Sequence, residues 1–179
     1  MEDFIRDWGY IALFLYSFGG GFLGLAVAGV LSFAGDLNIY ISILVAGLSN
    51  FVGSQFLFFL ARNNKNYAND MMKKHDRKIA LAHSLMEKYG SFVIFVQKYI
   101  YGIKTLIPLA IGITEYSATK FTIFNGFATA LWASVIGYAS FTAGEYLLKL
   151  GDDFKYVGIF TIVMVILAIT YFVKKVENK

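Results

Sequence analysis

Lys98 and Lys104 stand six residues apart in a stretch, 91–113 (SFVIFVQKYIYGIKTLIPLAIGI), that carries no other charge. Neither this stretch nor the apolar stretch 39–61 contains an Asp or Glu to pair with them. A cation in apolar surroundings is costly and therefore a functional suspect. It calls for an anion, and a phosphate serves, because lysine is a competent point-charge phosphate ligand. Gly102 lies between the lysines, and Pro108, the chain's single proline, lies just beyond them. A helix broken there would expose N-terminal amides and add positive potential. Snorkelling of both lysines to lipid headgroups is the alternative.

Other chemistries find little support. There is no cysteine, hence no disulfide, thiolate nucleophile or iron–sulfur cluster. His75, Asp76 and His83 match no strong metal-ligand spacing, and no metal or other cofactor is expected. No phosphate loop, nucleophile elbow or Ser-His-Asp arrangement is visible, so an enzyme is not expected. Uncharged polar residues inside apolar stretches are Asn50, Ser54, Gln55, Gln97 and Asn125. Interhelical hydrogen bonds are their ordinary use. Ser54 and Asn125 also count among the candidate substrate-binding residues, and Gly47 and Gly53 look like close-packing positions.

The elements that must position these residues follow from composition. Of 179 residues, 58% are hydrophobic and only 16% charged. A single small domain cannot hide so large an apolar excess in its core. An all-α polytopic membrane protein is expected. The 32 aromatics, from 18 Phe, 12 Tyr and 2 Trp, exclude disorder. A helix needs about 20 apolar residues to cross a bilayer. Residues 39–61 and 156–173 meet this, as do 118–143 with Lys120 near their start. Two stretches look interrupted: 10–34 by Gly19-Gly20-Gly21, and 91–113 by Gly102 and Pro108. Each reads as a re-entrant hairpin or as a kinked helix. A broken stretch followed by a crossing helix occurs at 10–61 and again at 91–143, which suggests an inverted repeat with its site near the midplane.

Between the repeats, 62–90 holds seven basic residues against three acidic ones, an excess as large as the net charge of +4. The positive-inside rule makes this block, an amphipathic interfacial segment, cytoplasmic. The basic C-terminus is expected on the same side. The acidic N-terminus is no cleavable signal peptide and suits the outside. Topology explains the basic block without invoking nucleic acid. The chain reads as one membrane domain, 1–179, and its oligomeric state is not legible.

The stretch EKYGSFVIFVQKYIYGIKTLIPLAIG at 87–112 resembles the DedA family of bacterial inner-membrane proteins, within the VTT or SNARE-associated superfamily. Gly90, Lys98, Tyr99, Ile100, Lys104, Thr105, Pro108 and Gly112 fall on the family's pattern. Downstream, Phe121, Asn125, Trp132 and Gly137-Tyr138 fall on it too. Upstream, Gly53, Arg62, Gly9-Tyr10 and Gly29 resemble its first half. Lys98 and Lys104 replace the family's two arginines, and Tyr101 its first proline. Phe22 and Ser54 replace its two acids.

The resemblance implies opposed re-entrant hairpins and lipid translocation. Some members look like undecaprenyl-phosphate or phosphatidylethanolamine transporters, and eukaryotic relatives like phospholipid scramblases. Loss of both acids argues against direct proton coupling, while the basic pair keeps anion recognition. The expectation is therefore a passive inner-membrane lipid translocase. Its phosphate site would use Lys98, Lys104, Thr105, Gly102, Ser54 and Asn125, with structural breaks at Gly19, Gly20, Gly21 and Pro108. Undecaprenyl phosphate is the first expected substrate and a glycerophospholipid the second. A proton- or ion-coupled transporter of small solutes or drugs, and a non-transporting scaffold, are the alternatives.

Overall fold

The computed structural model describes residues 2–19, 21–73, 84–85, 88–100 and 104–149. Gly20, Gly102, both histidines and the expected crossing at 156–173 lie outside the described residues. Every regular element among the described residues is helical. Two helices are long and apolar enough to cross a membrane, α3 (Ile39–Asn63) and a helix beginning at Ala118.

The N-terminal half begins with α1 (Glu2–Phe18) and α2 (Phe22–Ala34). Between them Gly21 caps α2 in an extended conformation and donates to the Tyr16 carbonyl over 3.2 Å. A Cβ at Gly21 or Gly24 would collide with the Tyr16 ring, which folds across the turn. Gly35 ends α2 in the left-handed region, φ 93°. The Asp36 N–H then reaches back to the Leu31 carbonyl at 3.0 Å, the glycine-terminated closure helices commonly use. Asn38 starts α3, its Oδ1 accepting from the Tyr40 and Ile41 amides at 2.9 and 3.2 Å. Its own N–H donates to Tyr10 Oη at 2.8 Å.

After α4 (Lys65–Lys73), a short helical stretch has α5 (Val93–Val96) at its centre, with tighter 3₁₀ turns at Gly90–Phe92 and Gln97–Tyr99. Then come α6 (Leu106–Ile113) and α7 (Ala118–Lys149). α3 has 25 residues, about 37 Å, and exceeds the roughly 30 Å of a hydrocarbon core. α2 has 13 residues and α6 only 8, about 20 and 12 Å, so neither could cross alone.

α3 and α7 form an antiparallel pair. Phe58 stacks on Phe121 with centroids 4.3 Å apart, the Phe51 carbonyl meets Asn125, Gly47 faces Ala133, and Ile43 faces Gly137. The two halves of the molecule pack at opposite ends of this pair. Leu13, Leu25, Ala28, Ala46, Trp132 and Ala133 bury together at one end. Phe58, Val93, Ile94, Ile107, Ile111 and Phe121 do so at the other. α2 lies along α7 on small residues: a Cβ at Gly29 would strike Ser140 and Gly137. Close approach on small residues is how helices associate where lipid removes the hydrophobic drive. Leu44, Leu48, Val52 and Phe56 of α3, and Ile123, Phe127, Leu131 and Val135 of α7, are exposed. At four-residue spacing each set is one continuous apolar face, the surface a bilayer would cover.

Candidate functional site

Both broken segments end at the middle of α3. On the first side Tyr10 sits at the start of α3 through Asn38. One turn on, the Ser49 hydroxyl donates to the Phe14 carbonyl. Phe18, the last residue of α1, rests its carbonyl on Gly53, where any Cβ would collide with it. α2 then returns toward Asn38. α1 and α2 therefore reach about halfway along α3 and turn back.

The second segment approaches from the other end. Ser91 and Tyr116 hydroxyls meet at 2.6 Å and close its base. Gln97 and Lys98 lie at its inner end. α6 comes back along α3, and a Cβ at Gly112 would collide with the Phe58 carbonyl and lie 2.8 Å from Ala61 Cβ. Arg62, in the last turn of α3, holds the returning end: Nε donates to the Gly112 carbonyl at 2.9 Å and Nη2 to the Tyr116 carbonyl at 2.6 Å. Its guanidinium also lies 4.9 Å from the Phe58 ring centroid. The Gly112 carbonyl is among the last of α6, which lack intrahelical donors, the Tyr116 carbonyl lies in the link beyond, and a planar fork fits the two together better than an ammonium would.

Lys98 occupies the meeting point. It is 7% exposed. Its Nζ donates to Asn50 Oδ1 at 2.6 Å and to Ser54 Oγ at 2.9 Å. Asn50 and Ser54 are one turn apart on α3, so they share a face, and Gly53 beside them carries the tip of the first segment. Both acceptors are neutral: the ammonium gains two dipoles and no opposite charge. Lys104, half-buried in the turn before α6, is near enough for its charge to act on Lys98.

The other expected site residues are placed as follows. Thr105 is the N-cap residue of α6, without a side-chain capping bond. Asn125 is fully buried; Nδ2 donates to the Phe51 carbonyl at 3.3 Å and Oδ1 accepts from Thr129 at 3.5 Å. It ties α3 to α7 one turn from the Lys98 ligands. Gly19 follows α1 in the first turn. Pro108 is the third residue of α6, where its missing N–H is one the helix would leave unpaired in any case. The preceding 3₁₀ turn ends at Tyr99, and α6 begins at Leu106. Among the described residues no group of three His, Asp or Glu could hold a metal ion.

Two participants escaped the sequence reading. The sequence predicts an interhelical hydrogen bond for Asn50, which it makes, but not Lys98 as its partner; its four-residue spacing from Ser54 was the available signal. Arg62 was counted with the basic block, although it faces inward onto α6.

A family model, the VTT domain, matches residues 7–142. Inner membrane protein YohD of Escherichia coli K12 is 24% identical over 184 residues, covering 100% of this chain and 96% of that protein. Undecaprenyl phosphate transporter A of Staphylococcus aureus NCTC 8325 is 23% identical over 147 residues, covering 74% of this chain and 72% of that protein. No solved structure matches.

Proposed function

The chain belongs to the VTT-domain family, that of the DedA membrane proteins, and from that membership we propose that it moves a phosphate-bearing lipid across the inner membrane. The observation that carries the proposal is Lys98: a buried ammonium, held by two neutral oxygens, at the level of α3 that the end of α1 also reaches. A charge so held is attractive to an anion that arrives with its own negative charge. A relative named as an undecaprenyl phosphate transporter supports this class of cargo.

On this reading α1–α2 and α5–α6 are re-entrant hairpins entering from opposite faces, and the halves 10–61 and 91–143 are inverted repeats. The headgroup pairs with Lys98 and Lys104, beside Thr105 and Gly102, with Ser54 as holder and Asn125 bracing the wall. The tail stays in the bilayer. The basic block at 62–90 and the C-terminus face the cytoplasm. The protein does no covalent chemistry. Phe22 and Ser54 stand where the family carries acids, so no carboxylate is there to cycle a proton, and exchange is read as passive. Undecaprenyl phosphate is the first candidate and a glycerophospholipid the second.

Proteoliposomes carrying fluorescent analogues of both lipids, with and without a pH gradient, test the proposal. Exchange without a gradient is the expected result. Exchange that requires the gradient would indicate a proton-coupled transporter, and no exchange of either lipid would indicate a scaffold.

A further inference from the structure

Three amide atoms at the centre of the molecule have no hydrogen-bond partner: Nε2 and Oε1 of Gln55, and Oε1 of Gln97. Gln97 is 1% exposed, and its Nε2 donates to the Ile94 carbonyl at 3.3 Å. Gln97 directly precedes Lys98, and Gln55 directly follows Ser54. Gln55 shares a face of α3 with Phe51 and Phe58, between the Phe51–Asn125 and Phe58–Phe121 contacts. Ile94, one turn before Gln97, packs into the same cluster as Phe58 and Phe121. Gln97 and Gln55 are thus the chain neighbours of the two residues that make the Lys98–Ser54 bond, one on each element. Ser17, near the end of α1, adds a further orphaned hydroxyl.

Buried polar atoms are nearly always paired, and those that are not need a reason. Here the set is unequal to a bare phosphate. A phosphate oxygen can use the Gln55 amide N–H, but the two amide oxygens can only accept. They need an O–H or N–H from the ligand. An ammonium would supply one, yet it would bring a third cation to Lys98 and Lys104, which like-charge repulsion opposes. A neutral hydroxyl has no such conflict. We propose that Gln55 and Gln97 form a headgroup-reading subsite beside Lys98 that requires a neutral hydroxyl next to the phosphate. Either the P–OH of a singly ionised phosphate monoester or a hydroxyl of a glycerol headgroup meets this. A choline headgroup offers only methyl groups and leaves both oxygens orphaned. The inference rests on the translocase reading and deepens it.

The test is exchange in proteoliposomes of three fluorescent lipids: an isoprenyl phosphate, phosphatidylglycerol and phosphatidylcholine. The native protein is expected to move at least one of the first two about tenfold or more faster than phosphatidylcholine, since sites built to hydrogen-bond a group reject analogues lacking it. The first two lipids separate the monoester source of the hydroxyl from the glycerol source. In Gln55→Leu, Gln97→Leu and the double variant the preference should shrink toward unity while melting temperature in detergent holds or rises, because an orphaned polar group is removed. A purely structural role for the amides would instead lower it. Lys98-dependent exchange of all three lipids at equal rates by the native protein would overturn this inference alone. So would a preference that survives in the single variants. No exchange of any lipid would overturn the translocase reading with it. The native comparison needs no variant, so a double variant that fails to fold does not spare the inference.

Discussion

Removing an ammonium from water costs several kcal/mol unless something nearby answers the charge, and Asn50 and Ser54 answer Lys98 only with dipoles. Those dipoles are nonetheless needed while no anion is bound. Replacing Asn50 by Leu should leave a Lys98 donor orphaned and cost about 1–3 kcal/mol, read as a lower melting temperature in detergent. Replacing Lys98 by Met in the same background should recover most of the loss, because removing both partners of a buried bond is close to neutral. Failure of Met to rescue Asn50→Leu would mean that Asn50 acts on some other group. Lys98 was legible from one sequence because a charge in an apolar run needs no partner to be noticed. Of its two ligands Ser54 was placed in the same site but Asn50 was not; they lie 44 and 48 residues away, and only folding brings them near.

At the scale of elements, what matters is how tightly α1 and α6 seat on α3. Gly53 and Gly112 leave no room for a Cβ against the Phe18 and Phe58 carbonyls, whereas a Cβ at Gly47 would sit 3.5 Å from Ala133 in ordinary contact. Gly53→Ala and Gly112→Ala should therefore destabilise by about 1–3 kcal/mol through overpacking. Gly47→Ala should be neutral or stabilising by up to about 1 kcal/mol through helix propensity. Thermal unfolding of the three variants checks the contrast, and equal effects at all three would contradict it. Arg62 is predicted to govern the seating of α6 in the same way. Arg62→Gln should accelerate amide hydrogen exchange across Leu106–Ile113, and Arg62→Lys should restore protection only in part, for want of the planar fork. The helices around 39–61 and 118–143 were legible because charge-free length is a local property. Arg62 was misplaced because its basic neighbours in sequence hid an inward direction that only the α3–α6 contact reveals.

For the whole molecule, the absence of cysteine makes single-cysteine labelling a direct test of topology. If both short segments turn back inside the bilayer, a Cys at Asp36 should react with a membrane-impermeant thiol reagent from one face only. Cys at Asn64 and at Glu115 should both react from the opposite face. Glu115 reacting on the Asp36 side would mean that the 91–113 stretch crosses completely. By the positive-inside rule the Asn64 side is expected to be the cytoplasmic one. All-helical character and membrane residence were readable from composition. The residues at which the two segments meet α3 were not, because they depend on where Phe18 and Lys98 touch a helix remote from each in sequence.

The central claim is that Lys98 receives the lipid phosphate, and the most direct test is the exchange rate of an undecaprenyl-phosphate analogue in proteoliposomes holding native protein or Lys98→Gln at equal amounts. Loss of one charged contact worth 1.4 kcal/mol corresponds to about a tenfold change, so a fall of about tenfold or more is predicted, with the variant still folded by its melting transition. Equal rates in the two proteins would contradict the account.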